Sequence, residues 1–242
     1  MKKMNLISFL TTTKQQPQQM TTIESALWLL NPEFGRMYSF CTASQQFPQY
    51  IKCDEHGRSP LHYAITFRAL DVLEYYLSQQ MYDVNAADCL GDTPLIHALN
   101  LYTTENPRIT HSIVYLLLKY GANPNVGSPG SPTPLMLAVM KEDVPIVNSL
   151  LLMGADPNRR MQEEGLFFKS NDTALSLAVR LDSLCGIKSA YTPAQLDCIA
   201  SILQKSSTGV SSTVLFHALQ QTKDKKLKDY MMLAYKPNPS NI

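Results

Sequence analysis

Asp88-Cys89-Leu90-Gly91-Asp92-Thr93-Pro94-Leu95, closed downstream by Gly121-Ala122-Asn123-Pro124-Asn125, is the stretch from which the rest of the chain can be read. It recurs. Upstream stands Asp54-Glu55-His56-Gly57-Arg58-Ser59-Pro60-Leu61-His62, running on to Val84-Asn85. Downstream stand Thr133-Pro134-Leu135-Met136-Leu137-Ala138 and Gly154-Ala155-Asp156-Pro157-Asn158. Recurrence at a fixed period means a stacked array, because one such unit cannot bury its apolar face alone.

The local physics fits helix pairs. Ser59 or Thr93 caps a helix, and the proline that follows gives up only an N–H that is orphaned in any first turn. Leu61, Ala64 and Ile65 then share one face. A second helix carries Val72-Leu73 with Tyr76-Leu77, Ile113-Val114 with Leu117-Leu118, or Ile146-Val147 with Leu150-Leu151, a helical spacing of i, i+1, i+4 and i+5. Gly121 and Gly154 stand where that helix should end in the left-handed region. Over residues 54–235 the chain thus resembles the ankyrin-repeat family, whose unit of about 33 residues opens on a Thr-Pro-Leu-His pattern. The resemblance is close in the first three copies and loosens after Asn158. It implies an all-α ankyrin-repeat solenoid of stacked helix-turn-helix units, with about five copies. It also implies a scaffold that binds another protein through its concave face, without a catalytic step.

Residues 1–22 read as a disordered N-terminal tail, 23–53 as an N-terminal capping unit that includes Trp28, 54–235 as the array and 236–242 as a C-terminal tail. The second copy carries extra residues, Leu101–Arg108, between its helices. The third has a finger rebuilt as Gly127-Ser128-Pro129-Gly130-Ser131-Pro132, too rich in breakers for a regular hairpin. The fourth has an extended finger, Met161–Asn171, with the apolar Leu166-Phe167-Phe168, and a long insertion over 182–194. The last opens at Thr213-Val214-Leu215-Phe216-His217-Ala218 and reads as a capping repeat.

A net charge of +1 provides no field to draw the chain to nucleic acid or an acidic membrane. No apolar run reaches the ~18–20 residues of a membrane helix, and Met4–Leu10 is too short and interrupted for a cleaved secretion signal. The five cysteines form no CxxC pair and no zinc-finger spacing, which points to structural thiols in a reducing compartment. There is no GxxxxGK[ST], GxGxxG or HExxH motif and no evident nucleophile set. The expectation is therefore no catalytic residue, no metal ligand and no cofactor, in a cytoplasmic monomer with a protein partner. Decayed copies with long insertions also resemble ankyrin proteins delivered into host cells by intracellular bacteria, which would place the chain in host cytoplasm. The rival reading is an enzyme with a site built from segments 161–171 and 182–194.

In the family, finger tips and the exposed ends of first helices line the concave face. Carried onto this chain they are Glu55, His56, Arg58, Thr66 and Phe67 in the first copy, and Cys89, Leu90, Asp92, Asn100 and Leu101 in the second. Met140 and Lys141 represent the third. Phe67 and Leu101, one repeat apart, are the apolar anchor candidates; the competing reading turns Phe67 inward against Leu70 and Leu73. His62 is expected to bond neighbouring loops, and Lys223–Lys228 to be the solvated face of a last helix. Without clustered ligands, thermal stability should be indifferent to EDTA; a fall of several degrees would reveal a missed metal site.

Overall fold

The computed structural model describes residue 53 and residues 56–80, 82–102, 107–127, 131–162, 168–184, 191–205 and 209–235, without the side chains of 181–184. The expected N-terminal tail, residues 23–52 of the capping unit with Trp28, the candidate Glu55, the pair Leu166-Phe167 and the C-terminal tail lie outside those residues. So do parts of the expected insertions, at 103–106 and 185–190. The described residues form helices and no strand. They fall into two compact units, Met1–Tyr82 and Asp83–Ile242.

The first unit holds α1 (Pro60–Thr66) packed on α2 (Leu70–Ser78). Ser59 starts α1 in extended conformation, and Pro60 takes the first helical position. Leu61, Ala64 and Ile65 are buried with Val72, Leu73 and Leu77, the face read from their spacing. His62 acts within its own helix. Its Nδ1 accepts the Ser59 N–H at 3.1 Å and lies 3.0 Å from Ser59 Oγ, so it closes a capping box on its own helix.

The second unit holds α3 (Pro94–Asn100), α4 (Pro107–Lys119), α5 (Pro134–Met140), α6 (Val144–Leu152), α7 (Ala174–Leu184), α8 (Pro193–Lys205), α9 (Ser212–Gln221) and α10 (Lys225–Ala234). Thr93 and Thr133 cap α3 and α5 by accepting the amides of Ile96 and Met136, and Asp143 caps α6 by accepting that of Ile146. First helices form one row, with α3 on α5, α5 on α7 and α7 on α9. Second helices form another, with α4 on α6, α6 on α8 and α8 on α10. Ile113, Val114, Leu117 and Leu118 in α4 and Ile146, Val147, Leu150 and Leu151 in α6 are all buried. The expected 182–194 insertion narrows, because α7 runs to Leu184 and α8 starts at Pro193.

An asparagine ladder joins successive repeats. Asn85 donates from Nδ2 to Gly121 O and accepts the Asn123 amide; Asn125 does the same to Gly154 O and the Asp156 amide. Asn158 repeats the arrangement with Gly209 O and the Ser211 amide, at 2.9 and 2.8 Å. Gly209-Val210-Ser211 therefore stands where Gly121-Ala122-Asn123 and Gly154-Ala155-Asp156 stand earlier, and Val210 is buried like Ala122 and Ala155. Ser211 also caps α9 by accepting the Val214 amide. One residue thus serves as ladder partner and helix cap, and the last repeat has no finger. Its first helix starts at Ser212, one residue ahead of the expected Thr213.

Gly121 has φ +90°, and a Cβ built there would meet nothing within 4 Å, so replacement costs conformational energy alone. Gly121→Val should lose at least ~1–2 kcal/mol of stability through the left-handed penalty on a branched residue. At Gly127 the added Cβ would meet the flexible end of Ile96 at 3.3 Å and Pro132 O in ordinary contact at 4.0 Å, so the same change should cost less. Equal denaturation midpoints for wild type and Gly121→Val would refute the assigned helix end.

Candidate protein-binding surface

The second repeat presents its finger on a rigid base. Asp88 Oδ1 accepts the amides of Leu90 and Asp92 at 2.8 and 3.0 Å. Asp88 also donates its amide to Asp92 O, while Gly91 turns at φ +83°. The side chain folds the loop onto itself, as Asx turns do. Cys89 is exposed, and Leu90 at the tip is 74% exposed. Behind the tip, Asn100 Nδ2 donates to Asp92 Oδ2 at 2.9 Å, tying the finger to the end of α3. Leu101 closes that helix and is 40% exposed. Cys89, Leu90, Asp92, Asn100 and Leu101 thus all belong to one finger and the helix it precedes.

In the first unit, His56 and Thr66 are exposed and Arg58 is half-buried. The Thr66 hydroxyl donates back to His62 O at 2.9 Å. Phe67 is half-buried and stacks on Tyr63, with ring centroids 6.4 Å apart. In the third repeat, Met140 ends α5 half-buried and Lys141 is exposed beside it. Position by position, Thr66, Asn100 and Met140 follow their N-caps Ser59, Thr93 and Thr133 at the same interval.

The fourth repeat uses that register differently. Asp172 and Arg180 occupy the positions of Asp92 and Asn100, and again they pair, Arg180 Nη2 donating to Asp172 Oδ2. Here both residues are buried. Asp172 also accepts the Ser176 hydroxyl at 3.1 Å and the Lys169 amide at 2.7 Å. The charge pair that would offer a contact in an open repeat is consumed internally. Phe168, the described member of the apolar finger run, is half-buried.

A second constellation lies in the turn between α5 and α6, where sequence reading found no signal. Asp143, buried while capping α6, pairs through Oδ2 with His111 Nε2 at 2.6 Å and accepts the Tyr102 hydroxyl. Glu142 accepts Thr192 Oγ1 at 2.9 Å and Gln195 Nε2 at 3.1 Å. Thr192 and Gln195 form their own capping box on α8, so a carboxylate sits at a helix start where the dipole favours it. The Thr192-x-x-Gln195 pattern was the available sequence clue. Burial, then Glu142, Asp143 and Asp197, pushes the nearby Cys198 thiol up to about 12, which keeps it protonated and unreactive at neutral pH. Among the described residues no group of three or more His, Cys, Asp or Glu is placed to hold a metal ion, and no helix is long and apolar enough to cross a membrane.

The family model described as ankyrin repeats (3 copies) matches residues 24–127 and 76–161, more than half of the chain. The chain belongs to the ankyrin-repeat family. Helices continue past the matched residues, through α7 and α8 to α9 and α10. No curated protein gives a significant match. Ankyrin repeats are generally protein–protein interaction modules, and a preorganised finger with an exposed apolar tip suits that use.

The Tyr102 hydroxyl is pushed up from 10.0 to about 12, first by burial, then by its hydrogen bond to Asp143 and by that carboxylate's charge. A raised pKa favours the protonated folded state, so this contribution is complete below pH 10 and is lost as pH climbs towards about 12. Denaturation midpoints measured across that interval should fall less steeply for Tyr102→Phe than for wild type. Parallel slopes would place Tyr102 outside the Asp143 network.

Proposed function

We propose that this chain is a non-enzymatic scaffold that binds another protein through the concave face of its ankyrin array. The observation carrying the reading is Leu90, 74% exposed on a finger whose backbone Asp88 holds in place. A large apolar side chain on a preorganised loop loses little entropy on binding, and a few such anchors usually carry most of an interface's energy. Leu101, at the end of the same repeat's first helix, is the second anchor. Asp92 and Asn100 form the polar rim between them, and Met140 and Lys141 extend the surface in the third repeat; His56, Arg58 and Thr66 are the first unit's own candidates. Phe67 is the weaker anchor candidate, since it is half-buried and stacked on Tyr63.

Catalysis has less to support it. Of the segments the enzyme reading invokes, the fourth finger closes on a buried Asp172–Arg180 pair, and α7 and α8 take residues from both ends of 182–194. A cytoplasmic monomer accords with the weak net charge and scattered thiols. The likeness in style to ankyrin proteins delivered into host cells by intracellular bacteria extends the proposal, making the partner a host protein.

The test starts from affinity capture with mass spectrometry to name the partner, followed by calorimetry on purified components. Leu90→Ser with Leu101→Ser should leave circular dichroism and melting nearly unchanged and weaken binding by ~2 kcal/mol or more. A melting shift with unaltered affinity in the folded fraction would end the anchor assignment.

A further inference from the structure

The second repeat joins its helices by a longer connection than the third. Six residues, 101–106, separate α3 from α4, against three, 141–143, between α5 and α6. The short turn is closed by the backbone, the Glu142 amide donating to Val139 O and the Asp143 amide to Ala138 O. A longer connection leaves the helix end before it more freedom, since each added residue enlarges the ensemble that has to be ordered. Leu101, the anchor proposed for the concave face, is the residue at that end. It closes α3 and is 40% exposed.

One side chain of the neighbouring repeat holds this connection at both ends. Asp143 accepts the hydroxyl of Tyr102, the residue after Leu101, and pairs through Oδ2 with His111 Nε2 at 2.6 Å, in α4 beyond the connection. Its other oxygen, Oδ1, accepts the Ile146 amide at 2.9 Å. The carboxylate is therefore fixed by the cap it makes and by its burial. Hydrogen bonds to a carboxylate are stronger than those between neutral groups, and a buried site keeps water from competing for them. The Tyr102 amide also donates to Leu99 O at 3.3 Å, and the Leu101 amide to His97 O at 3.1 Å. Holding the Tyr102 ring thus fixes the last turn of α3, the backbone from which Leu101 projects.

We propose that Tyr102 and Asp143 are positioning residues for Leu101, a clasp supplied by the third repeat that holds the anchor ready for an incoming partner segment. They act through Leu101 rather than by contacts of their own. This role rests on the reading of Leu101 as an anchor. A side chain already held in its bound place loses less entropy on binding, so the clasp raises affinity without adding a contact. Leu90 does not depend on it, because Asp88 holds that finger.

The test uses the full chain and, as probe, a peptide selected from a displayed random library on the immobilised protein and kept because Leu101→Ser weakens it at least about tenfold. Tyr102→Phe, which removes only the hydroxyl, should weaken this peptide about threefold to tenfold in calorimetry. In the Leu101→Ser background the same change should alter affinity less than about twofold, whereas in the Leu90→Ser background its effect should persist. Asp143→Asn keeps an oxygen to cap α6 but turns a donor towards Tyr102 and His111, and it should reproduce the loss. Amide hydrogen exchange at Leu101 and Tyr102 should quicken at least about fivefold in both variants, while α9 keeps its protection. A library that returns no Leu101-dependent peptide removes the anchor reading, and the clasp with it. A Leu101-dependent peptide that binds Tyr102→Phe as it binds wild type overturns the clasp alone. So does a Tyr102→Phe loss that is equally large in the Leu101→Ser background. Exchange that quickens throughout the second unit would make Tyr102 a general stabilising residue and overturn the positioning role as well.

Discussion

The second unit depends on what the loop after each helix pair does with its backbone. A helix ends with carbonyls that have no partner within it, and the residues that follow must find donors and acceptors elsewhere. Asn85, Asn125 and Asn158 supply both at once, each amide giving a proton to one glycine carbonyl and accepting one from a backbone N–H two residues further on. Only a side chain carrying a donor and an acceptor on one planar group does this in a single contact. The ladder holds consecutive loops at one spacing, and that spacing brings the apolar stripes of α4, α6 and α8 into register. Burial then supplies the bulk of the stabilisation, but it is non-directional, and the ladder gives it direction.

The turn between α5 and α6 shows how a local cost is offset by longer-range bonds. Glu142 has φ 53°, a left-handed conformation that glycine adopts freely and a side-chain-bearing residue does not. Glycine there would relieve the backbone and remove the carboxylate that Thr192 and Gln195 bond. The neighbouring Asp143 reaches the other way, to His111 and Tyr102. Two consecutive carboxylates therefore link the third repeat forward to α8 and back to α4. Arg68, at φ 55° between α1 and α2, takes the same backbone conformation in the first unit.

Towards the C-terminus the scaffold keeps its helix rows and changes its surface. In the second repeat Asp92 and Asn100 stay accessible; in the fourth their counterparts Asp172 and Arg180 are a buried pair. In the last repeat the finger is gone, because Ser211 is at once ladder partner and cap. An exposed apolar tip belongs to an early finger, while the exposed Phe216 and Met232 belong to the last described helix of each row.

Much of the fold was legible in the chain itself. Ser-Pro or Thr-Pro before Leu, paired apolar residues at helical spacing and a glycine after them are short-range signals, since caps, helical faces and left-handed ends each depend on residues within a few positions. They located α1 to α6 and the left-handed Gly121 and Gly154. The residues of the second finger were singled out by the family resemblance, and Leu90 is exposed at its tip. Other features required tertiary structure. Gly209-Val210-Ser211 is identified as a repeat boundary only by Asn158, some fifty residues earlier, and Glu142 meets Thr192 and Gln195 across a similar interval. That Asp172 is buried while Asp92 stays accessible follows from what packs over each, and a residue's sequence carries no record of its cover. Local signals determined the repeating unit, and contacts between units decided which of its surfaces remain open.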